Sequence, residues 1–192
     1  MPTFIKLLLT LTVAGGLLTA CATAPARPSN ASEASFVLER DLLGRTTARG
    51  DFRAITGTQR GFTAHLSGSL TGEVFTLIED FVYDDGERDR KTWVLTRQPS
   101  GEWSGTREDV IGAARGYQDG PVFRLEYDVR LPSENGRGRQ VRFRDLLALD
   151  GQGAVLNNAN VGWFGFRVAR VSLVITRDTA ALPQPNALAQ VQ

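Results

Sequence analysis

The chain has 192 residues, 42% hydrophobic and 22% charged, with one Cys, one His and a formal charge of +1. That length favours one domain with tails, and the apolar share is enough for a packed core. A lone Cys excludes an internal disulfide framework or a Cys-rich zinc site, and near-zero charge gives no electrostatic footprint for nucleic acid.

Residues 1–20 have the layout of a secretory signal peptide: Lys6, an apolar run from Leu7 to Leu18, then Thr19-Ala20 before Cys21. The run is too short for a permanent membrane span. Leu18-Thr19-Ala20-Cys21 resembles the bacterial lipobox, in which the thiol takes a diacylglycerol before the peptide is cut. Cys21 is therefore the expected lipidation site, and several acyl chains on one residue anchor stably. Ala22, not Asp, follows it, which points to a lipid-anchored, periplasm-facing protein of the outer membrane. Removing the signal takes Lys6 and no acid, so the mature chain balances. Anchoring then falls to the lipid, not to acidic headgroups. Residues 21–35 are small, polar and Pro-containing, which predicts a flexible tether from the lipidated Cys. The body spans 36–178, and the uncharged, Pro-containing 179–192 reads as a disordered tail.

After a short helical turn at Phe36 to Leu43, the body alternates apolar and polar residues with period two. The run from Phe123 to Leu131 is the cleanest, its odd positions all apolar and its even positions all charged. No helix presents that pattern on one face. Turn signals such as Asp84-Asp85-Gly86, Pro99-Ser100-Gly101, Asp119-Gly120-Pro121 and Asp150-Gly151 separate the runs. They predict strands near 47–56, 61–69, 73–83, 88–97, 102–109, 112–118, 122–131, 139–149, 153–159 and 166–177. So many consecutive hairpin-linked strands manage their edges best by closing. The expected fold is all-β, a single antiparallel up-and-down barrel of the calycin or lipocalin type with about 8–10 strands, with a β-sandwich as the alternative.

Strand parity also selects the candidate site. Phe75, Leu77, Glu79, Phe81 and Tyr83 share one face, and Val141, Phe143, Asp145, Leu147 and Leu149 share another. Both faces are apolar and should point inward, taking Glu79 and Asp145 with them. A buried carboxylate must protonate or find a partner. The pattern predicts an interior polar cluster of Glu79, Asp145 and at least one inward Arg or Lys, with Lys91 leading because it shares parity with Trp93. The candidate ligand-binding residues are Glu79, Phe81, Tyr83, Lys91, Trp93, Tyr127, Asp145 and Trp163, the charges gripping a headgroup and the rings an apolar tail. A purely structural ion-pair network is the alternative. Trp163-Phe164-Gly165-Phe166 reads either as an apolar rim or as a strand start. His65 falls on the polar face of its strand. No catalytic residues, metal site or cofactor are expected, since no phosphate loop, nucleophile elbow or paired metal-ligand motif occurs.

The stretch Glu79-Asp80-Phe81-Val82-Tyr83-Asp84-Asp85-Gly86-Glu87, with Trp93-Val94-Leu95, Asp109-Val110-Ile111-Gly112 and Phe164-Gly165-Phe166-Arg167, resembles an uncharacterised family of proteobacterial lipoproteins known as a domain of unknown function. The Tyr83-to-Glu87 hairpin is the most specific piece. The resemblance implies an envelope lipoprotein with a lipocalin-like barrel, but no established activity. Proximity of members' genes to those of fatty-acid-modifying enzymes adds a hint of lipid. The expected function is a lipid-anchored barrel binding a lipid or other small apolar ligand. The other readings are an assembly lipoprotein with a filled barrel, acting through protein contacts, and a lipid-modifying enzyme using Glu79 or Asp145 as general acid/base. Partners are the membrane, through the anchor, and a lipid or fatty acid; the sequence specifies no protein partner and no nucleic acid.

Overall fold

The computed structural model of the protein describes residues 24–131 and 138–178. The signal segment, Cys21 and the expected tail from 179 lie outside the described residues. One short helix, α1 (Leu38–Asp41), precedes ten strands. These are β1 (Gly44–Ala54), β2 (Gln59–Thr71), β3 (Val74–Tyr83), β4 (Arg88–Arg97), β5 (Trp103–Thr106), β6 (Val110–Asp119), β7 (Val122–Leu131), β8 (Arg139–Leu149), β9 (Val155–Trp163) and β10 (Phe166–Arg177).

Every strand pairs antiparallel with its sequence neighbour, and β1 pairs with β10, so the ladder is one closed barrel and not the two stacked sheets of a sandwich. The seam runs from Thr46 opposite Arg177 to Ala54 opposite Ala169. At its centre Gly50 faces Leu173, and a Cβ on Gly50 would land on the Ser172 carbonyl and the Leu173 side chain. Absence of a side chain there lets the two strands meet. A bulge between Arg167 and Ala169 turns the Val168 carbonyl toward Ile55, whose N–H donates to it at 2.9 Å.

Closure sends alternate side chains inward, and one end of the interior is packed solid. Phe36 and Phe75 are fully buried and Leu95 is 2% exposed, with the Phe36 ring 6.0 Å from that of Phe123. Phe36, Leu38 and Leu42, around α1, form the plug of this end. The plug sits close because Gly68 has no side chain; a Cβ there would strike the Leu42 carbonyl. Towards the other end, inward-facing Phe52, Phe81 and Phe143 are only half-buried.

Residues 24–35, within the segment expected to be a tether, lie against the outer wall. Ser32 N–H donates to the Leu149 carbonyl at 2.8 Å, and Ala31 bridges to Asp150. Arg124 Nη1 donates to the Pro25 carbonyl at 3.3 Å, and Ala31 packs on Val122, Leu146 and Ala148. That cover explains why β8 and β9 are buried on both faces.

Gly50→Ala is expected to lower stability by about 1–3 kcal/mol by overpacking the seam. The check is the urea midpoint at constant slope; an unshifted midpoint would show that the seam accepts a side chain.

Candidate functional site

In a ring of ten strands, β3 and β8 stand five strands apart in either direction, so their inward side chains face each other across the lumen. Glu79 comes from β3 and Asp145 from β8. Arg107 lies between these walls. It follows β5 and shares parity with buried Trp103 and Gly105, which turns it inward.

The Arg107 guanidinium forms a fork on Asp109, with Nε 2.7 Å from Oδ1 and Nη2 3.3 Å from Oδ2. Its Nη1 is 3.8 Å from Glu79 Oε2, beyond hydrogen-bond reach. The cation lies 4.7 Å from the Trp93 ring and 5.2 Å from that of Tyr127. Tyr127 meets Trp93 edge-on at 4.9 Å and stacks on Phe143 at 5.1 Å. The Tyr127 hydroxyl donates to Asp145 Oδ2 at 3.3 Å. Lys91 is opposite Glu79 in register, but its Nζ pairs with Asp89 Oδ2 at 3.1 Å and lies 3.7 Å from Asp109. The central cation is therefore Arg107 rather than Lys91.

Two acceptors remain unsatisfied: Glu79 Oε2 and Asp145 Oδ1 are buried without a hydrogen-bond donor. Burial pushes the Glu79 carboxyl up to about 7, against the pull of Arg107 and with the charge of Asp145 adding to the rise. Asp145 is also raised by burial to about 7, though Arg107, Tyr127 and Asn157 favour its ionised form. Burial, then the charge of Asp145, lifts the Tyr127 hydroxyl well above its ordinary value. Burial opposes the charge on Arg107, but Tyr127, Glu79 and Asp109 outweigh it and raise its pKa.

Of the residues selected by parity, Glu79, Trp93, Tyr127 and Asp145 meet at this cluster, with Lys91 at its edge. Phe81 and Tyr83 form a separate aromatic group with Phe62, ring centres 5.5–6.0 Å apart. Trp163 stands apart, 38% exposed at the β9–β10 turn beside Phe164, with Arg139 stacked 4.6 Å from its ring. Sequence reasoning missed Arg107, Asp109 and Asn157. The parity of Trp103 was the signal for Arg107, and that of Val155 and Val161 for Asn157.

The model of the family described as Protein of unknown function (DUF3833) matches residues 16–177. The chain belongs to that family. No curated protein matches it. A crystal structure from Nitrosomonas europaea, described as an AttH candidate, is similar at 14% identity and a TM-score of 0.26, over 85% of this chain and 60% of that one. The chain thus spans about three fifths of that structure's length.

The hairpin from Tyr83 to Glu87 is organised by Arg60 on the neighbouring β2. The Arg60 guanidinium lies 3.6 Å from the Tyr83 ring, and its Nη2 donates to Asp85 at 2.8 Å and Glu87 at 2.5 Å. The acids of the motif thus hold a turn at the barrel rim. Among the described residues, no group of three His, Cys, Asp or Glu side chains is arranged to hold a metal.

Glu79 and Asp145 bind protons more tightly folded than unfolded, so stability falls as pH rises from about 4 to about 7 and levels off above. Glu79→Gln keeps the shape without the charge. It is expected to flatten part of that fall and to stabilise the protein by about 1–3 kcal/mol near pH 8. Urea unfolding of both proteins across the window is the check; parallel curves would contradict the burial of this charge.

Proposed function

We propose that this DUF3833 member is an envelope lipoprotein, anchored through Cys21 at the periplasmic face of the outer membrane, whose barrel takes a lipid or other small apolar molecule. The observation that carries the reading is the pair of donorless carboxylate oxygens, Glu79 Oε2 and Asp145 Oδ1, set among Trp93, Tyr127 and Phe143. A core selected only for stability gains nothing from such groups, because apolar residues of similar volume remove the desolvation cost. Aromatic walls around a few polar groups are the ordinary chemistry of a small-molecule site. The half-buried inward rings Phe52, Phe81 and Phe143, opposite the plugged end, support an approach for a ligand.

A second reading, an assembly lipoprotein acting through protein contacts, draws on the β9–β10 rim. Phe164 is 83% exposed and adopts a positive φ of 47°, a conformation that costs a non-glycine residue about 1–2 kcal/mol. Phe166, the first residue of β10, and Ile55, on the turn after β1, are also exposed at the same end.

Native mass spectrometry of delipidated protein re-exposed to envelope lipid extract separates the two. Discrete added masses are expected; a protein that stays bare while keeping its β-sheet circular dichroism would favour the second reading. The anchor has its own check: Cys21→Ser is expected to move the protein from the membrane to the soluble fraction on cell fractionation. Unchanged membrane retention would remove the lipid anchor.

A further inference from the structure

We propose that the polar group held by the Glu79–Asp145 cluster is a cationic amine on an apolar or amphiphilic molecule, and not a carboxylate or phosphate. This rests on the barrel being a ligand-binding one.

The argument is a balance of donors and acceptors. Among the described residues, the groups facing the cluster are Glu79 from β3, Asp89 and Lys91 from β4, and Arg107 and Asp109 from the β5–β6 connection. Tyr127 from β7, Asp145 from β8 and Asn157 from β9 complete the set. Four acids therefore meet two cations. Both cations are already engaged: Arg107 forks onto Asp109, and Lys91 lies between Asp89 and Asp109. The surplus falls on Glu79 and Asp145, each with one buried oxygen that receives no donor. Asp145 is only 9% exposed and projects into the lumen opposite Glu79, so bulk water does not readily satisfy it.

A fatty-acid carboxylate or a phosphate would bring further acceptors and negative charge to a place already overstocked with both. An ammonium brings the reverse, three N–H donors and no acceptor. It answers both orphaned oxygens, and charge-assisted bonds of this kind are the strong ones. Because both acids are raised to about 7, they ionise near neutrality, so an amine should bind more tightly as pH rises and a carboxylate less tightly.

The test uses the full chain and three probes that share one alkyl tail: dodecylammonium, dodecanol and dodecanoate, titrated by calorimetry below their micellar concentrations. Near pH 8, dodecylammonium is expected to bind about tenfold or more tightly than dodecanoate, and the gap should narrow towards about pH 6. The double variant Glu79→Gln, Asp145→Asn should erase the preference, with β-sheet circular dichroism and a cooperative urea transition showing that the variant is folded. Dodecanoate binding as tightly as dodecylammonium would overturn the amine assignment and leave the ligand-binding barrel standing. Binding of none of the three would overturn the barrel reading, and the amine with it.

Discussion

Backbone pairing between β1 and β10 is the constraint from which the other features follow. It turns a ten-strand meander into a ring, removes both sheet edges and divides every strand into an inner and an outer face. Once the ring is closed, a polar residue at an inward position has no solvent face to turn to. Glu79 and Asp145 are held in the lumen by the same alternation that buries Leu77, Leu147 and Phe75. Their raised pKa values are a consequence of topology as much as of local chemistry.

The two ends of the ring differ. At one, Phe36, Leu38 and Leu42 pack over Phe75, and the unpartnered buried group is a neutral one, the Thr46 hydroxyl. Midway towards the other, Arg107 reaches between opposing walls and satisfies Asp109 fully but Glu79 only at long range. Well-packed apolar layers therefore support a layer whose polar groups are incompletely matched. Natural proteins break their own packing rules chiefly at functional places. The two under-matched carboxyl groups, and not the fold, carry the functional reading. Membership of DUF3833 adds no activity to it.

Much of the architecture could be read from residue order alone. The alternation from Phe123 to Leu131 and the Asp-Gly turns fix strand identity, because period two has no helical equivalent. The predicted ranges for β4, β7, β8 and β10 match the structure, and the others differ at their ends, as at β5, which stops at Thr106. The composition of Glu79, Trp93, Tyr127 and Asp145 as one group was less accessible. Parity says which residues point inward, but only the closed strand order says that β3 and β8 are opposite. Arg107 falls inside the predicted 102–109 strand with the parity of Trp103, but parity does not say that its guanidinium, from just past the end of β5, reaches between the walls of β3 and β8. Residues 24–35 show the opposite limit, since a small, polar, Pro-containing segment has no periodicity to announce that it lies along β8.

The central claim is that two carboxyl groups from opposite walls share the lumen and are short of donors. Carbon-13 NMR titration of the side-chain carboxyls of Glu79 and Asp145, assigned through the single Gln and Asn variants, tests it directly. Both midpoints should lie near 7, and each should shift when the partner acid is neutralised. Midpoints in the ordinary range of about 4, each indifferent to the other, would show that the acids are solvated and independent, and would contradict the account.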